Sequence, residues 1–268
     1  MVVQLLGTGA ADGIPALFEN SRVSDYARKH GGKDVRTRCG AIIDGHLKID
    51  FPPDTFSQLV LHQLNALDWS AIVFTHSDHD HFAVREIQYA MFPFNDEMSM
   101  PFPMYGNSTI CEMIWDRYPN WPIEMHQTKS FESFSVSGFE VTPIAANHTR
   151  GEDCHNLLIA KDGKTFLYGT DTGVWHEPTW EFLKGWKLDG LVIESTNGKS
   201  EPNYWGHLNF ASTIEVVDRL RKMGSLSDSA PVVTTHHSQD GDMTHDELVE
   251  AFAPYGISVG YDGIEFTV

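Results

Sequence analysis

The chain has 268 residues, 41% of them hydrophobic, enough to bury a full core, and one domain spanning residues 1–268 is expected. Its formal charge of −18 argues against a broad phosphate-backbone surface, so long nucleic acid is not an expected partner. Three cysteines without CxxC spacing, no signal-peptide pattern and no apolar run near the ~20 residues of a membrane helix point to a cytoplasmic protein with no membrane role.

Short apolar or β-branched runs bounded by Gly, Asp, Asn or Pro predict strands, beginning with 2–6 and 41–43. After the first, Gly7-Thr8-Gly9 makes a tight turn or brings backbone amides close to an anion. The run 71–74 opens directly into His76-Ser77-Asp78-His79-Asp80-His81, and helical spacing follows over 82–91. Strands are then expected at 139–143, 157–159, 166–168, 191–193, 232–235 and 257–259. Helices are expected over 210–223 and 244–252, the latter opened by a Thr244-His245-Asp246-Glu247 capping box. Strands mixed with helices indicate an α/β layered fold.

The cluster at 76–81 is hard to explain as packing, because His and carboxylates are seldom buried unless paired or coordinated. Imidazole and carboxylate together suit Zn²⁺, Mn²⁺ or Fe²⁺. Three further polar residues stand just beyond strand runs: His148 after 139–143, Asp171 after 166–168 and His236 after 232–235. Loops at strand ends are where a rigid scaffold presents reactive groups, so a single convergent site is expected.

In order and spacing, His76-x-Asp78-x-Asp80-His81 followed by His148, Asp171 and His236 resembles the metallo-β-lactamase superfamily, whose signature is HxHxDH, a lone His, a lone Asp and a last His. The resemblance implies a four-layer αββα sandwich with two divalent ions, Mn²⁺ or Zn²⁺, at the edge where the sheets meet. One ion would be held by His76, Asp78 and His148, the other by Asp80, His81 and His236, with Asp171 bridging. Cations about 3.5–4 Å apart need a shared anion to offset their repulsion, and between them they lower the pKa of a shared water.

Shorter segments, Leu6-Gly7-Thr8-Gly9, Asn147-His148-Thr149, Gly206-His207-Leu208-Asn209 and Thr235-His236-His237-Ser238, resemble the PhnP-like phosphoribosyl cyclic phosphate phosphodiesterases. That likeness implies a hydrolase opening a small cyclic phosphate such as 5-phosphoribosyl 1,2-cyclic phosphate. Asp80 would double as proton acceptor, and His207 would hydrogen-bond the phosphoryl group or protonate the leaving alkoxide. A local hydrogen bond at the entry to the 210–223 helix is the plainer reading of His207. Asp50 resembles the superfamily carboxylate that orients a ligand imidazole, or else it caps the turn at Pro52-Pro53. Arg150 and Lys199 are the cations nearest the site loops.

Two departures stand out. Residue 78 is Asp where the signature has His, which hardens the site toward Mn²⁺ or Fe²⁺, and His79 is the alternative ligand. The family's structural zinc loop maps onto Glu19, Ser21, Ser24 and Gln239, none a thiolate or imidazole, so the loop at 20–26 should rest on packing and hydrogen bonds. Other readings are a lactonase or tRNA-processing nuclease of the same superfamily, or a non-catalytic binding derivative. The partner expected is a small phosphorylated molecule, and a homodimer is left open.

Overall fold

Side chains of a strand alternate between faces, so strands apolar at every position must be covered on both sides. The computed structural model describes residues 1–96, 102–202 and 204–268. In it β1 (Val2–Gly7), β2 (Gly40–Ile43), β3 (Leu47–Ile49), β4 (Ala71–Val73), β5 (Met104–Gly106) and β6 (Met125–Gln127) form one mixed sheet. A second holds β7 (Phe134–Val136), β8 (Phe139–Ala145), β9 (His155–Lys161), β10 (Lys164–Gly169), β11 (Gly190–Glu194), β12 (Val232–Thr235) and β13 (Ser258–Val259). The last strand, β14 (Glu265–Thr267), returns to the first sheet, antiparallel to β1. The two orders are β14-β1-β2-β3-β4-β5-β6 and β13-β12-β11-β10-β9-β8-β7.

Alternation sorts the core into three apolar layers. Val3, Leu5, Ala41, Ile43, Leu47 and Ile49 face Val141, Leu157, Ile159, Phe166 and Tyr168 between the sheets. Of α1 (Arg22–His30), α2 (Thr55–His62) and α3 (Ser108–Arg117), the last two cover the first sheet, setting Leu59, Ile110 and Ile114 against Leu6, Ile42, Ile72 and Phe74. On the second sheet, α4 (Glu177–Leu183), α5 (Phe210–Lys222) and α6 (His245–Phe252) pack Trp180, Val217, Leu220, Leu248 and Phe252 onto Leu167, Leu191 and Ile193. Each such side chain, fully buried, contributes roughly 1.5–3 kcal/mol. The result is the four-layer αββα sandwich expected. No helix among the described residues is long and apolar enough to cross a membrane.

One expected element differs. In place of a helix over 82–91, Phe82 forms a bridge with Phe51, the Ala83 amide donates to the Phe51 carbonyl at 2.9 Å, and only Glu86–Ala90 closes as a 3₁₀ turn. Pairing with a neighbouring strand end outweighs helical spacing here. The capping box of α6 is formed as expected, Thr244 and Glu247 bonding each other's backbone amides.

The loop entering α1 is held by hydrogen bonds. Ser21 caps the helix by accepting from the Ser24 amide at 3.0 Å, Ser24 Oγ donates to Gln239 Oε1 at 2.9 Å, and Gln239 Nε2 donates to Glu19 Oε2 at 3.1 Å. These are the four positions onto which the sequence resemblance maps a zinc loop. Arg22 adds ion pairs to Asp242 and Glu247, each at 2.8 Å.

At the start of α6, buried His245 presents Nδ1 to the equally buried Arg36 guanidinium at 3.1 Å. Burial and the charge of Arg36 lower its pKa to about 4. The unfolded chain therefore takes up a proton near pH 6.5 that the folded chain refuses until about pH 4. Stability is expected to fall across that window by up to about 1.4 kcal/mol per pH unit from this group. Denaturant midpoints of His245→Gln should show a shallower acid slope than those of the parent chain.

Candidate metal centre

Parallel pairing brings strand ends to one edge. β3 runs parallel to β4, and β10, β11 and β12 are parallel to one another. The C-terminal ends of these strands carry Asp50, the 76–81 loop, Asp171, Glu194 and His236, and β8 leads into the loop bearing His148. Three of these residues, Asp50, Asp171 and His236, have left-handed backbone, with φ of 58°, 49° and 55°. Such conformations are strained for residues other than Gly and cluster at functional sites.

All seven expected ligand residues meet here. Asp80, His81, Asp171 and His236 offer donor atoms within 4.8 Å of one another, and so do His76, His148 and Asp171. Asp171 belongs to both sets: Oδ2 lies 2.9 Å from His81 Nε2, and Oδ1 lies 3.1 Å from His236 Nε2 and 3.8 Å from His148 Nε2. The Asp78 carboxylate reaches His148 Nε2 at 3.1 Å and His76 Nε2 at 3.5 Å, whereas His79 is exposed. Of residues 78 and 79, Asp78 is the one whose side chain reaches these imidazoles. Its turn is closed by the His81 and Phe82 amides, both donating to the Asp78 carbonyl.

The chemistry of these donors fits divalent cations. Nε2 of His76, His81 and His236 is buried and, although carboxylate oxygens stand 2.9–3.5 Å away, makes no well-aligned hydrogen bond among the described residues, a costly arrangement unless the nitrogen lone pair meets an ion. The opposite nitrogen of each ring is held in place, which fixes the ring's orientation. His81 Nδ1 donates to Asp50 Oδ2 at 2.8 Å, and His148 Nδ1 to the Gly206 carbonyl at 3.2 Å. His76 and His236 lean on Thr75 Oγ1 at 3.0 Å and Thr196 Oγ1 at 2.9 Å. Both threonine hydroxyls in turn donate a hydrogen bond to a fully buried carboxylate, Asp50 or Glu194. Asp50 therefore serves the imidazoles rather than the Pro52-Pro53 turn.

Electrostatics match this reading. Burial pushes Asp80 and Asp171 toward protonation, but the imidazoles of His81 and His236 hold both carboxyls well below their ordinary range. The nearby imidazoles of His148 and His76 do the same for Asp78. Burial opposes charge on His81, yet Asp171, Asp80 and Asp50 raise its pKa well above the usual imidazole value. A cation entering such a cluster takes the place of that proton.

His207 stands beside the cluster, its ring 5.3 Å from that of His236 and 5.0 Å from that of His148. Its Nδ1 lies 2.9 Å from Glu194 Oε1. Burial lowers its pKa, but the charge and hydrogen bond of Glu194 outweigh that and lift it to about 9. Glu194, Thr75 and Thr196 were not anticipated from the sequence. Glu194 had a signal, since it follows the 191–193 run directly, as the other site residues follow theirs.

The remaining candidates lie elsewhere. The Gly9 and Ala10 amides are spent on the Thr37 and His237 carbonyls at 2.8 and 3.0 Å, so the glycine turn is structural. Lys199 pairs with Asp242 at 2.8 Å. Arg150 lies over the Trp205 ring at 5.3 Å. A cavity of about 240 Å³ opens onto the cluster, walled by Asp12, Thr196, Asn197, His207 and Asp240. A larger one of about 540 Å³, on the outer face of the first sheet around Phe51, Trp69 and Ile87, shares no residue with it.

Residues 49–237 match the beta-lactamase superfamily domain. Among solved structures the chain is similar to a diphosphatase from the PhnP family, with TM-score 0.77 and 20% identity over all of this chain and 97% of that one. It is also similar to Zn²⁺-bound PqqB from Methylobacterium extorquens, with TM-score 0.77 and 16% identity over the whole of both chains. Human tRNase Z, short form, gives TM-score 0.66 and 18% identity over all of this chain and 99% of that one. At these identities the likeness is one of fold. No curated protein matches the sequence.

Proposed function

This chain belongs to the beta-lactamase superfamily, and we propose that it is a two-metal phosphodiesterase opening a small cyclic phosphate, with 5-phosphoribosyl 1,2-cyclic phosphate as first candidate. The observation that carries this reading is the Asp171 carboxylate, shared between two sets of donors in which Nε2 of His76, His81 and His236 makes no well-aligned hydrogen bond among the described residues. His76, Asp78 and His148 would hold one ion, and Asp80, His81 and His236 the other. Two Mn²⁺ or Zn²⁺ ions bound there supply Lewis acidity and lower the pKa of a shared water.

The protein's own groups do the rest. Asp80, on the cavity wall, accepts the proton released as water adds to phosphorus. His207, held protonated by Glu194, donates to the departing alkoxide. The carboxylates of Asp78, Asp80 and Asp171 would offset most of the charge of two divalent ions. The acidic wall and the small cavity disfavour a long polyanion.

A panel of cyclic phosphates, linear phosphodiesters, lactones and thioesters, assayed with Mn²⁺ or Zn²⁺, tests the proposal. Turnover is expected on the cyclic phosphates. Turnover on lactones or thioesters alone would remove the phosphodiester assignment. Metal analysis should give two ions per chain, whereas none would favour a non-catalytic binder.

A further inference from the structure

Lys48 is an unexpected core residue. It is fully buried on β3, with Nζ 5.8 Å from the centre of the Trp69 ring, and among the described residues it pairs with no carboxylate. Instead Nζ donates to the Ile49 carbonyl at 2.8 Å and the Asp50 carbonyl at 2.6 Å. Burying an ammonium is unfavourable, and burial lowers its pKa to about 7. An apolar side chain would suit the sheet better unless the amine does something an apolar group cannot.

The two carbonyls it binds flank the α-carbon of Asp50, whose φ of 58° is left-handed. In that conformation the Asp50 carboxylate accepts from the Thr75 amide at 2.8 Å, from Thr75 Oγ1, and from His81 Nδ1 at 2.8 Å. Space for the amine is kept by Gly40, where an added Cβ would come within 3.0 Å of Nζ.

We propose that Lys48 is a positioning residue for the metal centre: by tying down both carbonyls around Asp50 it locks the left-handed turn that aims the Asp50 carboxylate at His81, and so sets His81 toward Asp80, Asp171 and His236. The proposal rests on the two-ion reading of the cluster. His76 is reached only indirectly, through Thr75, so the two donor sets respond unequally.

The test is a titration of the metal-free chain with Co²⁺, followed by its visible absorption and by calorimetry, on the parent, Lys48→Met and Gly40→Ala. The parent should bind two equivalents. Both variants should bind one equivalent within about threefold of the parent and the second at least about tenfold more weakly, with a changed Co²⁺ spectrum. The metal-free melting temperature of Lys48→Met should not fall. A parent that binds no ion overturns the two-ion reading itself. Two equivalents bound equally well by parent and variants overturn the role of Lys48 alone. Loss of both equivalents in step with a lower melting temperature also overturns it, as a purely structural effect. If Lys48→Met does not fold, Gly40→Ala, which displaces the amine without removing it, decides.

Discussion

Asp171→Asn is expected to lose at least one of the two ions and on the order of 10⁴-fold in kcat/KM. The substitution keeps the shape of the side chain, and Asn tolerates the left-handed backbone that residue 171 adopts, with φ 49°. What disappears is the anion that both donor sets use. Oδ1 and Oδ2 sit 2.9–3.8 Å from three imidazole nitrogens belonging to the two sets. A neutral amide cannot offset the repulsion between two cations, so occupancy drops before any chemistry is considered. Loss of ions forfeits several kcal/mol of charge stabilisation, and each 1.36 kcal/mol is a factor of ten in rate. Elemental analysis should fall from two ions per chain to one or none, with the circular dichroism of the metal-free protein unchanged. An Asp171→Asn protein that keeps two ions and activity within tenfold of the parent would refute the bridging role.

Glu194→Gln and His207→Ala are expected to lower kcat by about 10²–10³-fold on cyclic phosphates, whose leaving group is an alkoxide. On p-nitrophenyl phosphodiesters the loss in His207→Ala should stay under about tenfold, because that leaving group needs no proton, whereas Glu194→Gln, which also touches the Thr196–His236 contact, should retain a larger loss. The contrast follows from the pairing of His207 Nδ1 with buried Glu194 at 2.9 Å, which raises the imidazole pKa to about 9 against the effect of burial. Cations bound beside it would lower that value. A general acid must be protonated, so activity is lost as pH rises through its pKa. Removing the Glu194 charge lowers that pKa, and the alkaline limb of the kcat profile should move to lower pH in Glu194→Gln. Equal losses on both substrate types would make His207 a residue that orients rather than one that donates.

Much of the sandwich could be read from the chain because its central strands are apolar on consecutive positions and bounded by turn residues. Runs 41–43, 191–193 and 232–235 correspond closely to β2, β11 and β12. β5, β6 and β7 escaped because Met104-Tyr105-Gly106, Met125-His126-Gln127 and Phe134-Ser135-Val136 are short and broken by Gly or polar residues, so none stands out as an apolar run. α1 escaped because it buries only Val23, Ser24 and Ala27. The 82–91 segment has helical spacing, but the bridge between Phe51 and Phe82 is a contact between distant residues that no local pattern reveals. The cluster was legible for a different reason: metal-binding residue types are dense at 76–81 and recur singly just past strand ends. Whether residue 78 or 79 turned inward depends on the 78–82 turn, which only the fold determines. Thr75 and Thr196 carry no signature at all. Their role exists only because each hydroxyl stands between an imidazole and a buried carboxylate.

The Glu19–Gln239–Ser24 hydrogen bonds at the entry to α1 separate two properties that a structural zinc would join. A zinc-built loop owes on the order of 10 kcal/mol to its ion, so a chelator strong enough to silence such a protein also loosens its architecture. Ordinary hydrogen bonds of about 1 kcal/mol each are indifferent to chelators. Under the two-ion proposal, a chelator is therefore expected to empty the cluster, and another transition metal to refill it, while the scaffold stays standing.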